Sequence, residues 1–116
     1  MEIVHTDYQV RYDEASSSVI CQGSFRLTGE EYKPVLDLML EAADARPPVL
    51  TLDVRQLQFL NSSGINTLSK LILHVRKHSA SQVVVLGSSR FPWQEKSLIN
   101  LKRLLPALTL EIADAP

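Results

Sequence analysis

The sequence predicts one mixed α/β domain: a central mixed β-sheet with an N-terminal hairpin and parallel strands, and helices packed on it. Three observations carry this. The N-terminal segment alternates apolar and polar side chains with a period of two. Two short apolar runs, Val49 to Val54 and Gln82 to Leu86, read as buried strands. Three further segments place apolar residues at helical spacing before, between and after those strands. Strands that alternate with helices behind a hairpin are accommodated most simply by a sheet with parallel members and right-handed crossovers.

Each element has its own signal. Tyr8, Val10 and Tyr12 alternate with polar residues, Asp13 to Ser18 reads as a turn, and Val19, Cys21, Gly23, Phe25 and Leu27 alternate again, giving the hairpin. Thr28-Gly29-Glu30-Glu31 has the form of a capping box, and Tyr32, Val35, Leu36, Met39 and Ala43 follow at helical spacing. Pro34 belongs in a first turn, so this helix is expected to begin a few residues late; Pro47 and Pro48 close it. Val49 to Val54 is expected to be covered on both faces. A helix from Ser63 to about His78 carries Ile65, Leu68, Leu71, Ile72 and Val75 on one stripe. Gly87-Ser88-Ser89 ends the strand that begins at Gln82, Trp93 to Leu105 reads as a helix stopped by Pro106, and Leu108, Leu110 and Ile112 alternate as a last strand.

Composition narrows the function. At 116 residues the chain has the size of one domain, able to bury roughly two-thirds of its unfolded surface. Its apolar (45%) and charged (22%) fractions are ordinary for a soluble globular protein. A net charge of −1 argues against nucleic-acid binding, which needs a concentrated basic face. No apolar run approaches the ~18 residues of a membrane span, and the N-terminus lacks a signal-peptide core. The single Cys21 excludes an internal disulfide framework and fits a reducing compartment. One Cys and three scattered His do not make a structural zinc site. The expectation is a cytoplasmic protein without metal or cofactor.

The chemistry concentrates at Asn61-Ser62-Ser63-Gly64, where the chain leaves a buried strand and enters a helix. Asn61 or Ser62 suits the N-cap, its side-chain oxygen accepting from a free backbone N–H of the first turn. Those free N–H groups and the positive end of the helix dipole favour an anion at the same place. Gly64 lets another group approach the backbone closely. A phosphate on Ser62 would add about −1.5 to −2 charges where the dipole tolerates them, changing the surface while sparing the fold. Phosphate-binding loops of nucleotide enzymes need more glycines and a lysine, and these are missing.

The longer run Leu52-Asp53-Val54-Arg55-Gln56-Leu57-Gln58-Phe59-Leu60-Asn61-Ser62-Ser63-Gly64-Ile65 resembles the signature of STAS domains, the family of bacterial anti-sigma-factor antagonists. Their pattern is an apolar strand ending in Asp, a short loop with a buried aromatic, then Asp-Ser-Ser/Thr-Gly-Leu opening a helix. The resemblance is close over residues 49–79 and looser over 19–112, and it implies a single STAS-like domain over 1–116. In that family the serine after the acidic residue is phosphorylated by a partner kinase that is also the anti-sigma factor, and a phosphatase reverses it. Carried over, that serine is Ser62, with Ser63 and Gly64 beside it. The implied function is a phosphorylation-controlled partner switch in transcriptional signalling. Asn61 stands where the family usually has Asp, so it can cap but lacks the charge. The N-terminal hairpin also looks longer than that of a minimal member.

On the helix that follows, Asn66, Leu73 and Lys77 fall opposite the apolar stripe, with Lys70 and His74 flanking. Together with Asn61, Ser63 and Gly64, the residues Asn66, Ser69, Lys70, Leu73 and Lys77 are therefore expected to form a partner-docking surface. Arg90 follows a parallel strand, so it falls at the same sheet end as Ser62 and could meet a phosphate; Phe91-Pro92-Trp93 offers a second contact or a helix entry. His74 and His78 have metal-pair spacing without a third ligand, which favours solvated histidines. Cys21 falls on the predicted core face as an inert thiol.

Three functions compete. The first is the STAS-type antagonist, bound to an anti-sigma factor or switch serine kinase and reset by a serine phosphatase. The second is a constitutive scaffold or sensor domain of the same fold, in which Ser62 only caps. The third is an enzyme with Ser62 as nucleophile, disfavoured because no Gly-x-Ser-x-Gly elbow and no His in a catalytic context are present. A homodimer is compatible with each of these.

Overall fold

In the computed structural model, which describes residues 1–114, β2 (Tyr8–Asp13) runs antiparallel to both its neighbours, β1 (Glu2–Val4) and β3 (Ser18–Phe25). A 3₁₀ turn (Gly29–Tyr32) and α1 (Lys33–Asp44) then lead to β4 (Val49–Leu60). The chain continues through α2 (Ser62–His78), β5 (Gln82–Ser88), α3 (Pro92–Leu104) and β6 (Thr109–Ala113). The six strands form one sheet in sequence order, parallel from β3 to β6. The mixed architecture thus agrees with the sequence pattern, with β1 as an addition. That strand has one inward residue, Ile3, too little alternation to read locally.

Register explains the core. Tyr12 pairs with Val19, Val19 with Leu52, Leu52 with Val85 and Val85 with Leu110, so one row of side chains points the same way across five strands. Each parallel step moves to the next strand in the same direction. Right-handed crossovers then place α1, α2 and α3 on one face of the sheet. The core is the layer between: Val10, Cys21, Leu52, Val54 and Val85 from the sheet, and Val35, Met39, Leu68, Leu71, Leu98 and Leu101 from the helices. Burying each large side chain stabilises the fold by about 1.5–3 kcal/mol.

The other face of the sheet carries Gln9, Arg11, Ile20, Gln22, Thr51 and Asp53, all half-buried and covered by no described helix. The expectation that Val49 to Val54 is covered on both faces is therefore wrong. Leu50, Leu52 and Val54 are buried, while Val49 is 40% exposed. The sequential strand order, invisible in a local pattern, is the reason.

β4 is also twice as long as expected. Ile20 pairs with Asp53 but Gln22 with Gln56, and Gly23 pairs with Leu57 but Ser24 with Phe59. Two β-bulges in β4 thus convert the alternation into a spacing of three, burying Val54, Leu57 and Leu60. That spacing made residues 55–60 read as a loop. At the other boundaries, α1 does begin late, with Pro34 in its first turn. The capping-box residues serve the 3₁₀ turn before it: the Glu31 carboxylate accepts from the Thr28 N–H (3.0 Å) and hydroxyl (2.7 Å). β3 stops at Phe25 rather than Leu27, β5 runs two residues past Leu86, and α2 and α3 each begin one residue early.

Candidate functional site

The carboxyl ends of β3, β4 and β5 gather three connections at one end of the sheet, the usual place for a binding site in such folds. The β3–α1 and β4–α2 connections are tied together by an aromatic relay and one amide. Tyr8 packs edge-on to Phe25 (centroids 5.3 Å apart) and Phe25 to Tyr32 (5.9 Å). The Tyr32 hydroxyl emerges from the core beside Asn61.

Asn61 is the N-cap of α2, with extended backbone at φ −86° and ψ 178°. Its Oδ1 accepts from the Gly64 N–H (2.9 Å) and from the Tyr32 hydroxyl (2.7 Å). Its Nδ2 donates to the Leu27 carbonyl (2.7 Å). The backbone joins in, the Asn61 N–H reaching the Phe25 carbonyl (3.3 Å). Burial pushes the Tyr32 phenol up to about 12, so it remains a donor throughout the neutral range.

The departure from the Asp of the STAS pattern now has a physical reason. An amide donates to Leu27 and accepts from Tyr32 and Gly64 at once, whereas an ionised carboxylate only accepts. Gly64 is required by the same packing, because a Cβ there would lie 2.2 Å from Leu60 Cδ1 and 2.9 Å from Tyr32 Oη.

With Asn61 as cap, Ser62 is the first helical residue. It is exposed, and no described residue engages its hydroxyl. Ser63 is half-buried, and its carbonyl accepts from the Thr67 hydroxyl (3.0 Å). Of the expected docking residues, Asn66, Lys70 and Lys77 are exposed, and Ser69 and Leu73 are half-buried. Ser63, Asn66 and Lys70 line a groove of about 500 Å³ that separates α2 from the 3₁₀ turn and the start of α1. Tyr32, Lys33, Leu36 and Asp37 form its other wall. The groove lining does not include Ser69, Leu73 or Lys77.

On the β5 side the site is built by residues that sequence reasoning missed. β4 outruns β5, leaving its last carbonyls without a strand neighbour. Gln94, fully buried, supplies the missing partners: Nε2 donates to Val54 O (2.7 Å) and Leu57 O (3.0 Å), and Oε1 accepts from the Ser88 N–H (2.7 Å). Trp93 Nε1 donates to Gln58 O (2.9 Å), so the tryptophan fixes the helix entry. The available signal was a polar residue on the stripe of Leu98 and Leu101.

Phe59, the aromatic before the turn, departs from the buried aromatic of the STAS pattern: it is 40% exposed, with the Arg26 guanidinium 4.8 Å above its ring. Arg90 is exposed at the same sheet end. Its guanidinium lies 5.7 Å from the Phe91 ring, and no described contact brings it to Ser62. His74 bonds Asp44 of α1 (2.7 Å) and lies against His78 (4.8 Å), and among the described residues no group of metal-capable side chains is present. Cys21 is buried, and burial pushes its thiol up to about 12. Among the described residues no helix is long and apolar enough to cross a membrane.

No family model and no curated protein matches the sequence. Solved structures do match. The crystal structure of diguanylate cyclase SiaD in complex with its activator SiaC, from Pseudomonas aeruginosa, aligns at a TM-score of 0.73 and 15% identity, covering 99% of each chain. The fold is similar to that of SiaC. SiaC of Pseudomonas aeruginosa alone gives a TM-score of 0.61 at 16% identity over 99% of this chain and 98% of that one. Apo-SiaC gives 0.61 at 15% over 100% and 98%. At these identities the likeness shows the fold alone.

Proposed function

We propose that this chain is a partner-binding regulatory module whose docking is set by phosphate on Ser62. One observation carries this: Asn61 holds the turn from inside, while Ser62 stands exposed with its hydroxyl engaged by no described residue. A phosphate there breaks no structural hydrogen bond and sits at the positive end of α2. By resemblance to STAS domains, a switch serine kinase that is also an anti-sigma factor writes the phosphate, and a serine phosphatase removes it. By likeness of fold to SiaC, described as the activator of a diguanylate cyclase, the target is a signalling enzyme that this chain activates by binding. Both make binding, not catalysis, the activity. Geometry favours this over a nucleophilic Ser62: His74 lies twelve residues along α2, ~18 Å away, and is held by Asp44.

The test is to incubate the protein with cell lysate and ATP, map phosphate by mass spectrometry, and compare Ser62→Ala with Ser62→Asp in pull-downs. Phosphate on Ser62, with a partner retained by Ser62→Ala and lost by Ser62→Asp, is the expected result. No phosphate and equal binding by both variants would leave the constitutive scaffold instead.

A further inference from the structure

We infer that the helix-free face of the sheet is an interface between two copies of this chain, packed about a two-fold axis that runs along β4. Ser62 and α2 have no part in it. The register lines up one row of outward residues across the sheet: Glu2, Arg11, Ile20, Asp53, Leu86 and Glu111. The neighbouring row is Asp13, Ser18, Thr51, Val84 and Thr109. On β3 to β5 these rows bring Ile20, Thr51, Val84 and Leu86 together, all half-buried although no described helix covers them, with the exposed Val49 beside Thr51. The centre of the face is thus apolar.

Around that centre most charges are already matched. Arg55 donates to both oxygens of Asp53, through Nε (3.0 Å) and Nη2 (2.8 Å). The Asp13 carboxylate accepts from the Ala15 N–H (3.2 Å) and the Ser16 hydroxyl (2.9 Å) of its own turn. Glu2 accepts from Gln9 Nε2 (3.0 Å). Two charges of the face are left with no hydrogen bond or ion pair to any described residue: the half-buried Arg11 on β2 and the exposed Glu111 on β6. They are opposite in sign and stand on the same row. Each lies two strands from Asp53, on either side, a distance of ~10 Å.

Symmetry turns this layout into a contact. A half-turn about an axis parallel to the strands keeps every residue at its own level and reverses the strand order. With that axis on β4, Arg11 of each copy faces Glu111 of the other, and Ile20 faces Leu86. Thr51 and the neutralised Asp53–Arg55 pair meet their own copies on the axis. Sheets stacked face to face lie ~10 Å apart, a gap that an arginine and a glutamate side chain span together. A two-fold across the strands at the same level would set Arg11 on Arg11 and Glu111 on Glu111, so charge favours the axis along β4. Two ion pairs then flank an apolar centre, and one chain supplies both members of each type, which makes a second copy the occupant. Five strands of five residues offer a plane of roughly 400 Å² per copy, at the small end of specific interfaces, so the dimer is a transient one.

The experiment follows self-association of the full chain by sedimentation velocity and by ¹⁵N chemical shifts, from micromolar to millimolar protein. Wild type should pass from monomer to dimer, with shift changes at Arg11, Ile20, Thr51, Val84, Leu86 and Glu111, and should associate more weakly as salt rises. Arg11→Glu and Glu111→Arg each place two like-charge pairs in the contact and should weaken it about tenfold or more. Mixed in equal amounts, these two variants should associate with each other at near wild-type strength, because every facing pair is then of opposite sign. The double variant Arg11→Glu/Glu111→Arg should recover the dimer for the same reason. Far-UV circular dichroism checks the fold of each variant. Where a reversal disturbs it, Arg11→Gln and Glu111→Gln take its place and should weaken association about threefold. A protein that stays monomeric at millimolar concentration, a dimer indifferent to these substitutions, a mixture that fails to associate, or shift changes confined to the helical face would each overturn the inference.

Discussion

Asn61→Asp is the substitution that would install the Asp of the STAS pattern, and the geometry says it should destabilise this protein. The side chain sits between three partners, accepting from Tyr32 and Gly64 through Oδ1 and donating to Leu27 through Nδ2. A carboxylate keeps both accepted bonds. Its second oxygen, however, replaces a donor that lies 2.7 Å from the Leu27 carbonyl. Two acceptors then face each other, at a cost of about 1–3 kcal/mol for the partly buried unsatisfied pair. The new charge gains about 0.3–1 kcal/mol from the helix dipole. Loss wins, leaving a net destabilisation of about 1–2 kcal/mol at neutral pH, or about 4–8 °C in Tm for a domain of this size. The sign with pH follows. Protonated, the new carboxyl can donate to Leu27, so its folded-state pKa rises above the usual value of about 3.9. A net cost of 1–2 kcal/mol corresponds to a rise of about one unit. For an acid raised in the folded state, stability is retained at low pH and lost as pH climbs through the raised pKa. Urea titrations of wild type and variant from pH 4 to 8 should therefore show near-equal stability at the acidic end and a gap that opens toward pH 7. A variant as stable as wild type at pH 7, with a flat difference, would refute the role given to Leu27.

Gly64→Ala gains helix propensity of about 1 kcal/mol. Even so, it should lower stability by about 2 kcal/mol or more in urea unfolding, since the added Cβ meets both Leu60 and Tyr32. Gln94→Leu strands two carbonyls and one N–H in the core, and a loss of at least about 3 kcal/mol in the same assay is expected. A loss below 1 kcal/mol would mean that β4 finds other partners. Cys21, with its thiol raised to about 12 by burial, should resist iodoacetamide at pH 8 in the native protein and react fully in urea. Rapid labelling without denaturant would contradict the packing around β3.

Periodicity made most of the elements legible, because a strand or helix that buries one face writes that face into the sequence at a fixed interval. It failed where two causes overlapped. β4 hides its second half behind two bulges, so Val54, Leu57 and Leu60 fit neither period. Strand order is set by crossovers rather than by any local run, which is why the uncovered sheet face was missed. The turn was legible as a turn, since Asn-Ser-Ser-Gly before an apolar stripe is a capping sequence. Its support was not. Asn61 reaches Tyr32 and Leu27, twenty-nine and thirty-four residues away, and Gln94 reaches Val54 and Leu57 across forty and thirty-seven. Bonds that span the fold leave only a polar residue where an apolar one is expected.

The opposite sides of the β4–α2 turn obey different constraints. Inward, every polar atom of Asn61 is committed, Gly64 has no room for a methyl, and the Tyr32 hydroxyl closes the relay that begins at Tyr8. Outward, neither Ser62 nor Lys70 nor Lys77 meets a partner among the described residues. A substitution on the inner side is therefore a stability event, while under the proposed function a charge added on the outer side is a binding event. If Ser62 were itself the N-cap, its hydroxyl would hold the helix, and phosphate would trade folding energy against docking. Because Asn61 takes that role, the two are separated, and the charge on Ser62 can change without altering the bonds that fix its backbone.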